Sequence, residues 1–188
     1  MNINVVDRNM WLGWNELPTP KEGNTGKYIQ YQSFLYNFIR DLNPKHILEI
    51  GFNAGHSACC FLNACPNTKM YSFDICRWGT EVLARDVLKK HFDLTLIEGD
   101  STKTIPEFFK QNSISFDFIF IDGGHFEDVP YLDIMNTKNY LSQNGVILID
   151  DLNVGTVNDC IVKSNILNEF NSFTVENIEK QILLFYKK

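Results

Sequence analysis

From residue 46 onward the chain repeats one pattern: a short apolar run ending in an acid or a turn, then a stretch with helical spacing. The runs are HILEIG (46–51), KMYSFD (69–74), DLTLIEGD (93–100), FDFIFID (116–122) and GVILID (145–150). Between them apolar residues fall three and four apart, as at Ile105, Phe108 and Phe109. A longer segment after residue 155 sets Val157, Cys160, Ile161, Ser164 and Leu167 on one face. Continuous apolar strands alternating with helices predict βαβ units and a parallel sheet covered on both sides. SFTVENI (172–178) and QILLFYKK (181–188) break the rhythm, because only Glu179 and Lys180 separate them. A parallel crossover needs a dozen residues or more, so these two runs form an antiparallel hairpin. The expected class is α/β, a doubly wound, mostly parallel seven-stranded sheet with a C-terminal antiparallel hairpin.

Residues 1–27 show no period. They hold Trp11, Trp14, Pro18, Pro20, Gly13, Gly23 and Gly26, and read as an arm. YIQYQSFLYNFIRDL (28–42) reads as an amphipathic helix opening the domain of residues 28–188. Trp11, Trp14 and Tyr28 either fold over a crevice as a lid or pack on the sheet edge or a dimer mate, and a homodimer is one expected assembly.

The chain of 188 residues can bury roughly 70% of its unfolded surface, enough for one core. The formal charge of −6, with Lys and Arg scattered, argues against nucleic acid as a partner. No stretch approaches the ~20 apolar residues of a membrane span, and no basic segment leads into an apolar run at the start. The expected location is the cytoplasm. Cys59, Cys60, Cys65, Cys76 and Cys160 lack zinc-type spacing and read as small reduced hydrophobes.

Open parallel sheets bind ligands at the carboxyl ends of their strands, where strand order reverses. Five successive runs here end in polar groups: the loop after Glu49, then Asp74, Asp100, Asp122 and Asp150–Asp151. Acids serving only solubility would not collect at one end of every strand, so the pattern predicts a crevice. The loop E-I-G-F-N-A-G-H-S (49–57) has glycines four apart and lacks two glycines of the dinucleotide fingerprint. A glycine turn feeding a helix N-terminus suits an anion, while a plain turn with an Asn cap is the simpler alternative. Asp74 is placed to accept from a ribose diol. Asp100 is placed to accept from an adenine amino group, or with Ser101 to cap the following helix.

Taken together, Glu49, Gly51, Asn53, Gly55 and Ser57, then Asp74, Asp100–Ser101 and F-I-D-G-G-H ending at His125, resemble a class I S-adenosylmethionine-dependent methyltransferase. IDGGH followed by GVILIDD resembles small O-methyltransferases of the catechol type and those acting on macrolide sugars. The resemblance implies that Gly51, Asn53 and Gly55 hold the methionine end of S-adenosylmethionine, with Glu49, Ser57 and Asp122 around it. Asp74 then takes the ribose and Asp100 the adenine, with Ser101 beside it. Asp122, Asp150 and Asp151 are implied to bind a divalent cation, usually Mg2+, which lowers the pKa of the acceptor hydroxyl. His125 stands where catechol-type enzymes carry a lysine base, and an imidazole can take the same proton; His125 and Asp122 are the expected catalytic pair. Gly123 and Gly124 would let the loop pass close to the sulfonium.

Two features depart from the resemblance. The acid pair is Asp150–Asp151 rather than Asp–Asn, and Leu152, Asn153 and Val154 follow where macrolide-type enzymes have a histidine; Asp151 or Asn153 can instead cap a helix starting near Gly155. His46 opens a strand at the wrong end of the sheet, and His56 adjoins the cofactor loop. The expected function is transfer of a methyl group to a hydroxyl of a sugar or small metabolite. A non-catalytic cofactor-binding subunit acting through a protein partner is the alternative, and aminopropyl transfer or NAD chemistry fits the loops less well.

Overall fold

The computed structural model describes residues 5–21, 25–175, 178 and 180–187. Gly23 of the arm, Glu176, Asn177 and Lys188 of the two terminal runs, and Glu179 between those runs lie outside the described residues. The strands are β1 (His46–Ile50), β2 (Lys69–Asp74), β3 (Asp93–Glu98), β4 (Phe116–Ile121), β5 (Leu141–Ile149), β6 (Phe170–Val175) and β7 (Ile182–Lys187). They form one seven-stranded sheet in the order β3-β2-β1-β4-β5-β7-β6. The first five strands of that order are parallel, and β7 runs antiparallel between β5 and the edge strand β6.

The helices are α1 (Ile29–Leu42), α2 (His56–Ala64), α3 (Thr80–Leu88), α4 (Ser101–Gln111), α5 (Val129–Thr137), α6 (Gly155–Lys163) and α7 (Ile166–Glu169). Alternation along each strand divides the core in two. Ile47, Phe118 and Phe120 pack with Leu35 of α1, Phe61 of α2 and Leu88 of α3. Their neighbours Leu48, Ile119 and Ile121 pack with Ile105 of α4, Ile134 of α5 and Ile161 of α6. Since successive strand residues point to opposite faces, runs apolar at every position need helices on both sides.

Strand order reverses between β1 and β4, and the registers bring the carboxyl ends level there. Ile50 pairs with Phe73 on one side and Ile121 on the other, and Ile121 pairs with Ile149. The hairpin then sets Leu183, near the start of β7, opposite Ile149. The turn before β7 therefore lies at the same end of the sheet as the strand-end acids.

Two details differ from the sequence pattern. β5 begins at Leu141, not Gly145, and its register against β4 shifts between Phe116 and Phe118. The segment after residue 155 is broken at Asn165, whose φ of 60° is left-handed. Val157, Cys160, Ile161 and Ser164 are buried, but the break turns Leu167 out to 43% exposure. The arm packs on the helices of the domain. It carries 3-10 turns at Arg8–Met10, Trp14–Glu16 and Thr25–Lys27. Trp11 is buried, stacked on Tyr36 of α1 at 5.3 Å, and Leu12 exchanges backbone hydrogen bonds with the Asn63 amide of α2. Among the described residues, no helix is long and apolar enough to cross a membrane.

Candidate active site

A crevice of about 890 Å³ opens over the carboxyl ends of the strands and is lined by Gly51, Asp74, Asp100, Asp122, His125 and Asp151 among others. Its floor is the turn after β1. Gly51 has φ of 94°, and its N–H donates to the Phe73 carbonyl at 2.9 Å. A Cβ there would lie 2.0 Å from the Asp122 carbonyl oxygen, so only glycine lets the β1 and β4 ends meet. The Asn53 N–H donates to Asp74 Oδ2 at 2.9 Å, tying this turn to the end of β2. Gly55 begins α2 without a side-chain cap, so Asn53 is not a helix cap.

Glu49 does not line the crevice. It is fully buried and accepts from Ser57 Oγ at 2.5 Å and Ser72 Oγ at 2.7 Å, joining β1, α2 and β2 beneath the loop. Burial raises its pKa to about 7, against the opposing pull of the two serine hydroxyls. Its place is behind the loop, where it shapes the turn.

Asp74 and Asp100 line the crevice at the ends of β2 and β3. Asp74 Oδ1 accepts from the Cys76 N–H at 2.8 Å. Asp100 caps α4, its Oδ1 accepting from Thr102 N at 3.0 Å and Thr102 Oγ1 at 2.7 Å, with Lys103 2.9 Å from Oδ2. The Thr102 hydroxyl, then the Lys103 ammonium, hold its pKa below the ordinary value. Ser101 donates to Asp133 Oδ1 at 2.7 Å. Asp133 had no signal in the sequence beyond a lone acid between Leu132 and Ile134. It is fully buried, and burial raises its pKa to about 7.

The second wall is the end of β4. A Cβ on Gly123 would meet Ile50 at 3.0 Å and Asp133 Oδ2 at 3.1 Å, and one on Gly124 would meet the Phe126 ring at 2.8 Å. Packing against Ile50 and Asp133 thus accounts for Gly123, while the Phe126 ring beside Gly124 is 57% exposed and can move aside. His125 Nε2 lies 3.4 Å from Asp151 Oδ2 and 3.9 Å from Asp122 Oδ1. Burial, then the Asp150 carboxylate, push the pKa of Asp122 well above the ordinary value.

Asp150 is engaged elsewhere. It is buried; its Oδ2 accepts from Tyr31 Oη at 2.8 Å and Lys180 Nζ at 2.7 Å, and its Oδ1 from the Asp151 N–H at 2.7 Å. Lys180 Nζ is also 3.1 Å from Asp151 Oδ1. Burial acts against the charge of Lys180, but Asp122, Asp150 and Asp151 outweigh it and raise its pKa. Lys180 stands between Asp150 and Asp151, and Tyr31 and the Asp151 N–H also hold Asp150, which weighs against the three-carboxylate set Asp122, Asp150 and Asp151 as a divalent-cation site. The side chains that do converge are Asp122, His125 and Asp151, with one ligand atom each within 4.8 Å of the others. Asp151, at φ of 55°, and Asn153 leave α6 uncapped by any side chain. Tyr31 and Lys180 escape a reading of the sequence because their partner lies 119 and 30 residues away. The hairpin topology is the one signal that places Lys180 beside the end of β5.

Of the arm and its junction, Tyr28 lines the crevice and the two arm tryptophans do not. Trp14 packs edge-on against His56 at 5.1 Å, and His56 does line the crevice. Burial, then Arg8, lower the pKa of His56 to about 4.

A protein-family model described as a methyltransferase domain matches residues 48–152. The O-methyltransferase ankF of Aspergillus thermomutatus is 28% identical over 127 residues, covering 63% of this chain and 51% of the relative. The chain thus spans about half the length of that curated relative. Two solved structures share the fold. The O-methyltransferase from Bacillus cereus, in complex with SAH, aligns with TM-score 0.69 and 15% identity over 92% of this chain and 86% of that one. CalS11, a TDP-rhamnose 3'-O-methyltransferase of calicheamicin biosynthesis, aligns with TM-score 0.69 and 18% identity over 84% and 77%.

Proposed function

Since this chain belongs to the S-adenosylmethionine-dependent methyltransferases, the family whose domain spans residues 48–152, we propose that it methylates a hydroxyl of a sugar or small metabolite. The observation that carries the reading is the meeting of His125, Asp122 and Asp151 on the crevice wall beside the Gly51 turn. S-adenosylmethionine, when bound, supplies an electrophilic methyl group on a positively charged sulfur. The residues fit that group: Asp74 and Asp100 are spaced along the crevice as acceptors beside the Gly51 turn.

His125 Nε2 would take the proton of the acceptor hydroxyl while the methyl carbon exchanges its bond to sulfur for one to that oxygen, the sulfur leaving as a neutral thioether. Asp151, 3.4 Å away, orients the imidazole and stabilises the charge it gains. Phe126 and Leu132, 57% and 36% exposed, offer an apolar rim on which a ring face can rest. CalS11 acts on a nucleotide-linked sugar, and that neighbour supports the sugar class for the acceptor. Divalent-metal assistance gains no support from a carboxylate set in which Asp150 is already paired with Tyr31 and Lys180.

Calorimetric titration with S-adenosylmethionine tests the cofactor, and His125→Ala tests the chemistry. Binding in the micromolar range is expected for both proteins, with turnover in the variant lower by about 100-fold or more. Equal turnover of variant and wild type would remove His125 as base. No binding to either would overturn the proposal.

A further inference from the structure

We propose that Lys180 is the cation of this site: its ammonium supplies the positive charge that the family resemblance assigns to a divalent metal, and it closes the acid cluster to such ions. The catalytic half of this statement rests on the methyltransferase reading; the cation-exclusion half does not.

The geometry is that of a built counterion. Lys180 Nζ contacts Asp150 Oδ2 at 2.7 Å and Asp151 Oδ1 at 3.1 Å, and its side chain is only 16% exposed. The same ammonium lies 5.3 Å from the ring centre of Tyr31 and 5.9 Å from that of Tyr28, two negative aromatic faces. The Tyr31 hydroxyl donates to the oxygen of Asp150 that Lys180 holds, and the Asp151 N–H donates to the other, so three protein donors hold the carboxylate. The backbone fixes the lysine at this end of the sheet. Leu183 is registered against Ile149, and the Leu152 N–H donates to the Gln181 carbonyl at 3.4 Å.

A metal entering this cluster would meet an occupied site. Asp150 Oδ2 is held by both Tyr31 and Lys180 and its Oδ1 by the Asp151 N–H, and Asp151 already shares one of its oxygens with the ammonium. What remains is Asp122, His125 and one oxygen of Asp151, a set with a nitrogen donor and a fixed positive charge beside it. Mg2+ prefers an all-oxygen shell and keeps several waters, neither of which this set favours. With Lys180 in place, three clustered carboxylates are partly neutralised without a metal, and Asp151 is held facing His125. The charge is tethered, so it needs no binding equilibrium.

The test combines cation binding with turnover. Mn2+ is titrated into the full chain by calorimetry, for wild type, Lys180→Met and Lys180→Arg. Thermal melting in the presence of S-adenosylhomocysteine checks that each variant folds. Wild type is expected to show no Mn2+ heat up to millimolar concentration, and its methyl transfer is expected to survive a chelator. Lys180→Met should acquire Mn2+ binding that a second change, Asp151→Asn, removes, and should lose about 100-fold in turnover at unchanged cofactor affinity. Lys180→Arg keeps the charge and should recover turnover while still excluding Mn2+. Micromolar Mn2+ binding by wild type, or loss of its activity with a chelator, would overturn the proposal. So would a Lys180→Met protein with unchanged turnover and no Mn2+ binding. If Lys180→Met fails to fold, the wild-type and Lys180→Arg titrations still decide. If no acceptor is methylated at all, the Mn2+ titrations judge Lys180 independently of the methyltransferase reading.

Discussion

Gly51 shows how much one position can carry. Any side chain there would press on the Asp122 carbonyl, at 2.0 Å for a Cβ, and would hold φ at 94°. Gly51→Ala must therefore push apart the β1 and β4 ends, costing about 2 kcal/mol or more. Urea unfolding should show that loss, and cofactor titration should show binding weakened with it. Glu49 gives a second prediction, in pH. Its folded pKa of about 7 lies above the ordinary value of 4.5, so the native state holds a proton the unfolded chain has released between those values. That contribution to stability is fully present below pH 4.5 and is lost as pH rises to about 7, by an amount on the order of 3 kcal/mol. Asp133 acts in the same direction, so Glu49→Gln should flatten the decline only in part. Chemical denaturation of both proteins from pH 4.5 to 8 measures it; equal slopes would mean that Glu49 is ionised in the native protein. At this scale the sequence located Asp74, Asp100, Asp122, His125 and Asp151 on one crevice, because each ends or follows an apolar run. It did not separate Asp150 from Asp151, since adjacent residues at a strand end point opposite ways and only the folded chain tells which meets Tyr31 and Lys180.

At the scale of elements, α4 does two jobs with one residue. Asp100 caps it and also lines the crevice. Asp100→Ala removes the cap and should cost about 1 kcal/mol of stability, whereas Asp100→Asn keeps a good cap and should leave melting nearly unchanged. Cofactor affinity should fall in both variants, because both remove the carboxylate acceptor; affinity retained in Asp100→Asn would confine Asp100 to the cap. The strands were legible here because an apolar run of five or six residues bounded by acids has few other solutions. The bends were not. Asn165 interrupts a pattern that is helical on both sides, and the early start of β5 depends on a register shift that SQN at 142–144 does not announce.

At the scale of the molecule, the arm joins the core that the period of the sequence assigns to the sheet and helices alone. Trp11 stacks on Tyr36 and meets Trp14 edge-on at 5.4 Å, so the arm extends the α1–α2 side of the core. Trp11→Ala should lower stability by about 3 kcal/mol in urea unfolding; a change near zero would mean that the arm only rests on the domain. The sequence raised packing as one alternative for Trp11 and Trp14 but not their partners, because an irregular segment has no period to read and its contacts are set by the surface it lands on.

The position of Lys180 along the chain has a consequence in time. Asp122, Asp150 and Asp151 all precede it, and the strand that carries it to them, β7, pairs with β5 from the far side of the hairpin. As the chain leaves the ribosome the acids emerge first and their counterion last. The β5–β7 pairing that closes the sheet is thus also the event that balances the charge of the site. Before it, the first five strands can assemble only around an acidic cluster that still lacks its lysine.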